Sequence, residues 1–263
     1  MAKKVLIIGE SGTGKSASMR NFKPEEILVI NVARKDLPFR GSYEQIATDE
    51  YRTIKRAIQN TKKKVIVIDD CQYLMANEFM RRATEKGFEK FTEIAQNYWE
   101  LQQTINALPD DVIVYEMSHL ERDQNGNEKV KTIGKLLDEK ITVEGMFSIV
   151  LKTVVTDGRY FFQTQNSGHD TCKSPIGLFK DFHIENDLKA VDMAIREYYD
   201  LDNVEVAPMP VSEVVEASED EEQPKTLAEQ MADVQNNETA VAVPQIETPE
   251  TPKRKRRKVA TEE

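Results

Sequence analysis

The chain has 263 residues, with 36 Lys+Arg against 46 Asp+Glu and 39% hydrophobic residues, the proportions of one medium globular domain with room for a tail. No run approaches the roughly 18 apolar residues of a transmembrane helix, and Met1-Ala2-Lys3-Lys4 leads into only four strongly apolar residues before Gly9, so neither membrane insertion nor secretion is expected. Two cysteines, Cys71 and Cys172, make neither a disulfide framework nor a zinc site, which fits a reducing cytoplasm.

In chain order, four short apolar runs lack the alternation of half-exposed strands: Val5-Leu6-Ile7-Ile8, Ile27-Leu28-Val29-Ile30, Val65-Ile66-Val67-Ile68 and Val112-Ile113-Val114-Tyr115. Such runs fit strands of a parallel sheet buried on both faces. Helical segments separate them. One is expected to open at Gly14, one places Tyr51, Ile54 and Ile58 on a common face, and a long pair covers about 72 to 107 with a break at Gly87. The second of the pair lines up Phe88, Phe91, Ala95, Tyr98, Leu101 and Ile105, a stripe for core or subunit packing. Alternating strand and helix implies an open α/β sheet. After the fourth run come a charged ribbon over 121 to 131 turning at Asn125-Gly126, and a second hairpin turning at Asp157-Gly158 between Met146–Val155 and Arg159–Thr164. These add antiparallel strands on the C-terminal side. A last amphipathic helix, expected to be capped by Asn186, holds Leu188, Val191, Ile195 and Tyr198 on one side.

The body is expected to end near residue 207. All the aromatics (one Trp, eight Tyr, ten Phe) precede residue 208, and six of the ten prolines lie at or after it. From 208 to 263 only nine of 56 residues are Leu, Ile, Val or Phe, too little apolar area to offset the entropy of ordering, so the tail is expected to be disordered. It carries 13 acids against 7 bases, leaving 33 against 29 in the body. A body so close to neutral meets nucleic acid only through local basic patches. The tail's last basic block, Lys253 to Lys258, reads as a nuclear localisation signal, a nucleic-acid patch or a dock for an acidic partner.

The strongest motif is Gly9-Glu10-Ser11-Gly12-Thr13-Gly14-Lys15-Ser16, a complete G-x-x-x-x-G-K-[ST] followed by Ala17, between the first strand and a helical segment. Glycines at these positions let backbone N–H groups wrap phosphates, Lys15 reaches the β and γ phosphates, and the Ser16 hydroxyl ligates Mg²⁺. ATP and Mg²⁺ are therefore the expected cofactors. The third strand ends in Asp69-Asp70, where a phosphate-binding fold needs a carboxylate for the metal. Asp69 is the expected metal-side acid. Asp70 and Glu10 compete for the role of base toward the attacking water. The fourth strand runs into Ser118-His119, so that His119 is a candidate γ-phosphate sensor. His169 and His183 have no partners at metal-ligand spacing. The ribbon, with Lys129, Lys131 and then Gly134-Lys135, admits three readings: a solvated hairpin, a contact for single-stranded nucleic acid, or a contact for phosphates bound by a neighbouring subunit. The nearest aromatics in sequence, Tyr115 and Phe147, flank it and give no support for base stacking on it.

Taken together, Val5–Ser16, Val65–Asp70, Ser118-His119, Thr132-Ile133-Gly134-Lys135, Asp170-Thr171-Cys172-Lys173-Ser174-Pro175 and Asn186-Asp187-Leu188 resemble the phage-encoded AAA-type ATPases with a shortened RecA-like core, whose characterised members are single-strand annealing recombinases. The resemblance spans roughly residues 3 to 200. It implies a RecA-like P-loop fold, Mg-ATP binding, homo-oligomerisation on single-stranded DNA, a single-stranded-DNA-binding protein as partner and a bacterial host cytoplasm. By it, Lys15 and Ser16 correspond to the nucleotide-binding pair, Asp69 to the magnesium acid and Lys135 to the trans-acting lysine of RecA-like filaments. One departure stands out: where RecA carries a catalytic Glu at a strand end, the second strand here runs into Asn31-Val32-Ala33, with Asp36 the first acid. Slow turnover, use of Asp70, or a switch or loader function without significant turnover follows. A small-molecule P-loop kinase is the remaining alternative, weakened because only Arg122 and Arg159 lie between the sensor and the last helix.

Overall fold

Runs of Val, Leu and Ile with no polar interruption bury both faces of a strand, and the chain builds its centre from them. The computed structural model describes residues 1–41, 43–134 and 136–203. Its strands are β1 (Lys3–Gly9), β2 (Ile27–Asn31), β3 (Gln45–Ile46), β4 (Val65–Asp69), β5 (Ile113–Arg122), β6 (Glu128–Val130), β7 (Ile149–Thr156), β8 (Arg159–Gln163) and β9 (His183–Glu185). The helices are α1 (Tyr51–Asn60), α2 (Gln72–Arg81), α3 (Glu89–Asn106) and α4 (Leu188–Tyr198). The sheet order is β3-β2-β4-β5-β1-β7-β8-β9, with β6 paired to β5 outside this path. From β3 to β7 neighbours run parallel, while β8, β9 and β6 pair antiparallel. This is a mixed α/β fold with a mostly parallel central sheet, the P-loop NTPase architecture. The edge strands β3 and β9, of two and three residues, are too short to leave a pattern in the sequence.

The sheet lies between two apolar layers. Leu6, Ile8, Ile66, Ile68 and Val114 face the side covered by α1, α2 and α3, whereas Val5, Ile7, Val67, Ile113 and Tyr115 face α4 and the segment after β1. Each fully buried aliphatic side chain contributes on the order of 1.5–3 kcal/mol of transfer free energy, so β1, β4 and β5 fix the register of the whole domain. On α3 the expected stripe holds for Ala95, Tyr98, Leu101 and Ile105, joined by Ile94, but Phe88 is 86% exposed because it precedes the helix instead of lying on it.

Three local expectations are corrected. The segment after the phosphate loop is a six-residue 3-10 helix, Ser16–Asn21, which ends as Phe22 turns extended, two residues before Pro24. Asp187, not Asn186, caps α4, its carboxylate accepting from Lys189 N and Ala190 N, because the Asn186 side chain is packed against the phosphate loop instead. Tyr198 is exposed at the end of α4, and its hydroxyl donates to the Ile176 carbonyl at 3.1 Å. Lys135 and everything from 204 onward, including the tail and its basic block, lie outside the described residues. Both cysteines are buried and free, and among the described residues no helix is long and apolar enough to cross a membrane.

Candidate functional site

The order β4-β5-β1 brings three strand ends to one edge: the phosphate loop after β1, Asp69-Asp70 after β4, and Ser118-His119 on β5 between them. In the loop Gly12 and Gly14 take φ of 78° and 96°, a region that side chains disfavour. Gly9 is needed for a different reason. A Cβ there would stand 1.9 Å from Thr153 Oγ1 on β7, whose hydroxyl pairs with Thr13 Oγ1 at 2.6 Å.

Lys15 folds back over the loop, Nζ donating to the carbonyls of Gly9 at 2.9 Å and Glu10 at 2.8 Å. Burial lowers its pKa to about 8, against the opposing pull of Asp70 and Asp69. Ser16 Oγ donates to Asp69 Oδ1 at 2.9 Å. Burial, then the charge of Asp70, pushes Asp69 up to about 6. The buried Asp69 carboxylate in contact with the Ser16 hydroxyl, with buried Asp70 next to it, presents the hard oxygen donors that Mg²⁺ takes alongside its retained waters, so the residues fit that ion.

Asp70 is buried and takes a left-handed φ of 57°, uncommon for a non-glycine residue, as the chain turns from β4 into α2. Lys35 Nζ forms an ion pair with its Oδ2, and His119 Nε2 lies 3.5 Å from Oδ1. Burial, reinforced by Lys15, lowers the pKa of His119, which favours the neutral imidazole. The His119 backbone N–H donates to Gln72 Oε1 at 3.1 Å, tying β5 to the first residue of α2. Behind it, Glu116 is fully buried and accepts from Gln102 Nε2 at 2.6 Å, Tyr98 Oη at 2.9 Å and Cys71 Sγ at 3.1 Å. Burial first, then Glu116, holds Tyr98 and Cys71 well above their ordinary pKa, which keeps their protons in place as donors.

Lys15, Ser16, Asp69, Asp70 and His119 line a cavity of about 350 Å³ together with Ser11, Gly12, Gly14, Ala17, Lys35 and Tyr160. Glu10 is not in its lining; its carboxylate points to Arg122 Nη2 at 2.9 Å, so of the two candidate bases Asp70 is the one facing the cavity, which Asp69 and Asp36 also line. Lys35 and Tyr160 had no sequence signal, since they come from loops and a hairpin distant from the motif. A second cavity of about 360 Å³ adjoins the first and shares Ser11, Lys35 and His119, with Tyr73 and Lys131 in its wall. The structure thus brings an aromatic to the ribbon from α2, which neighbours in sequence did not foretell, while Tyr115 is buried with its hydroxyl donating to Asp192 at 2.9 Å. His169 and His183 lie away from these cavities, near the surface. The run Asp170–Pro175 packs on β7, with Val150 and Lys173 exchanging backbone hydrogen bonds at 2.8 and 3.0 Å. Asp170 closes that turn by accepting from Cys172 N at 2.9 Å and Gln163 Nε2 at 2.7 Å.

A glycine-rich loop with its lysine, a serine on an aspartate and a polar strand end between them are the parts of a nucleotide-binding ATPase, and the family model for the AAA domain matches residues 1–175. The chain belongs to the AAA domain family. The match takes in the phosphate loop, both aspartates, His119 and β7, so every residue lining the cavity lies inside it. A search of curated proteins finds no match to this chain.

Proposed function

We propose that this AAA domain binds ATP with Mg²⁺ and hydrolyses it. The convergence of Lys15, the Ser16–Asp69 pair, Asp70 and His119 on one cavity carries the reading. Lys15 and the loop N–H groups hold the β and γ phosphates, Ser16 and Asp69 hold the metal, and Asp70 takes the proton of the attacking water. When bound there, Mg²⁺ would offset the negative charge of the phosphate oxygens. His119, in the wall of the same cavity, would meet the γ phosphate. Tyr160, 46% exposed and packed on Gly14 at the open end of the cavity, offers a face for the base.

We further propose that ATP occupancy drives assembly into a homo-oligomer on single-stranded DNA, in DNA recombination or replication, where the assembly promotes annealing and works with a single-stranded-DNA-binding protein. The resemblance given above supports this, as does the second cavity, where Lys131 and Lys35 stand beside the Tyr73 ring, the cation and aromatic pairing that single strands favour. Arg122 bridges the phosphate-loop Glu10 to Glu128 on β6 at 2.9 and 3.0 Å, a physical route from ribbon to loop. In the alternative, ATP works as an assembly switch or loader with little turnover. The pairing of Asp70 with Lys35 favours that second reading, because it occupies the candidate base.

The experiment is ATP turnover with and without single-stranded DNA over a protein concentration series, on wild type and Lys135→Ala. Stimulation that rises cooperatively with protein and collapses in the variant is expected. Turnover indifferent to DNA and linear in protein removes the DNA half of the proposal.

A further inference from the structure

Lys35 belongs to no phosphate-loop motif, yet the fold holds it against the site. Asn31, the buried last residue of β2, clamps its backbone: Nδ2 donates to the Lys35 carbonyl at 2.5 Å, and Oδ1 accepts from Lys35 N at 3.1 Å. Asn31 in turn pairs in register with Asp69 across β2 and β4. The preceding residue, Arg34, sits at φ 55°, an uncommon left-handed conformation for a side-chain-bearing residue. It is tied at 3.1 Å to Asp49, which also accepts from Arg81 and Asn77. Strained backbone that its surroundings over-determine is typical of functional positions. From this anchor the Lys35 side chain, 59% exposed, reaches the 5% exposed Asp70 carboxylate. Its stem is in the open and its ammonium is at the site. The ion pair with Asp70 raises the Lys35 pKa, so the charge is retained. Lys35 also lines both cavities, within the electrostatic reach of Lys15.

We propose that Lys35 is a γ-phosphate latch. This rests on the hydrolysis reading above and assigns a regulator to the same site. Without a triphosphate, Nζ neutralises Asp70 and keeps it from acting as a base. A γ phosphate, with more negative charge than one carboxylate, draws Nζ onto its oxygens and uncovers Asp70. In the reaction a water oxygen bonds to the γ phosphorus as the bond from that phosphorus to the β,γ-bridging oxygen breaks. The electron pair leaves with ADP, the water proton passes to Asp70, and Lys35 offsets charge on the phosphoryl oxygens. ADP has no γ group and leaves the latch on Asp70.

The test is equilibrium binding, with Mg²⁺, of fluorescent ADP and of a fluorescent β,γ-imido ATP analogue to the full chain as wild type, Lys35→Met and Lys35→Arg. Lys35→Met is expected to weaken the triphosphate analogue about tenfold or more while changing ADP by less than about twofold, as befits loss of one charge-assisted contact to the γ group. Lys35→Arg is expected to keep most of the preference. Equal weakening for both nucleotides overturns the latch in favour of a structural role, and so does an unchanged preference in Lys35→Met. A wild type that binds neither nucleotide overturns the hydrolysis reading and the latch with it, which distinguishes the two failures.

Discussion

Asp69 is held in a buried acid pair, and neutralising it separates the electrostatics of that pair from its function. Asp69→Asn keeps a side-chain oxygen for the Ser16 hydroxyl, now 2.9 Å from Oδ1, but removes a charge that burial and Asp70 disfavour. The carboxyl pKa stands at about 6 in the fold against an ordinary 3.8. At about 1.4 kcal/mol per unit, holding the ionised form above pH 6 costs on the order of 3 kcal/mol. The sign follows from proton counts: between 3.8 and 6 the folded chain binds more protons than the unfolded one, so this acid's contribution worsens as pH rises and levels off above 6. Asp69→Asn should therefore raise Tm at pH 8 by roughly 6–12 °C, given roughly 2–4 °C per kcal/mol for a domain of this size. The gain should shrink to about half at pH 5. Calorimetric melts without ligand at both pH values measure this. The same variant should lose the further stabilisation that wild type gains from ATP plus Mg²⁺. An Asp69→Asn chain that melts below wild type at pH 8, or gains equally at both pH values, refutes the argument that the acid pair is strained in the absence of its cation.

Other consequences are as direct. Glu116→Leu leaves the buried Tyr98 hydroxyl and Gln102 amide without their acceptor; at about 1–3 kcal/mol for each unmet donor, Tm should fall by roughly 4–24 °C in thermal melts. Gly9→Ala drives a Cβ to within 1.9 Å of Thr153 Oγ1 and should cost about 1–3 kcal/mol of stability in urea titrations, with partial rescue by Thr153→Ala, because overpacking is the cause. Because burial sets the Lys15 pKa at about 8 and phosphate favours its protonated form, magnesium-free nucleotide affinity should be level below about pH 7 and fall about twofold by pH 8. Above that it should weaken by up to about tenfold per pH unit in fluorescence titrations.

The sequence carried the four core strands, both hairpins, the three main helices and the motif residues, because period, turn chemistry and the loop's spacing are local properties. What it did not carry was set by distant packing. Asn186 has a good capping side chain, but the hydrogen bonds to α4 come from Asp187 since Asn186 faces Gly14. Lys35 reaches Asp70 only because β2 lies next to β4 and Asn31 fixes the following loop. Tyr73 joins the ribbon through the crossing of α2 past β5, and Glu116 gains its donors from α3, both contacts between segments tens of residues apart. Glu10 was a fair rival to Asp70 on position alone, and only the ion pair with Arg122 turns it away from the cavity.

The central claim is that this cavity binds and hydrolyses Mg-ATP. Single-turnover release of labelled phosphate from ATP by the full chain, with and without Mg²⁺, tests it on wild type, Lys15→Ala and Asp70→Asn. The account predicts Mg²⁺-dependent release that Lys15→Ala abolishes and Asp70→Asn slows by about 10²–10⁴, the usual worth of a positioned base. Release that ignores Mg²⁺, or that persists at the wild-type rate in Asp70→Asn, contradicts it.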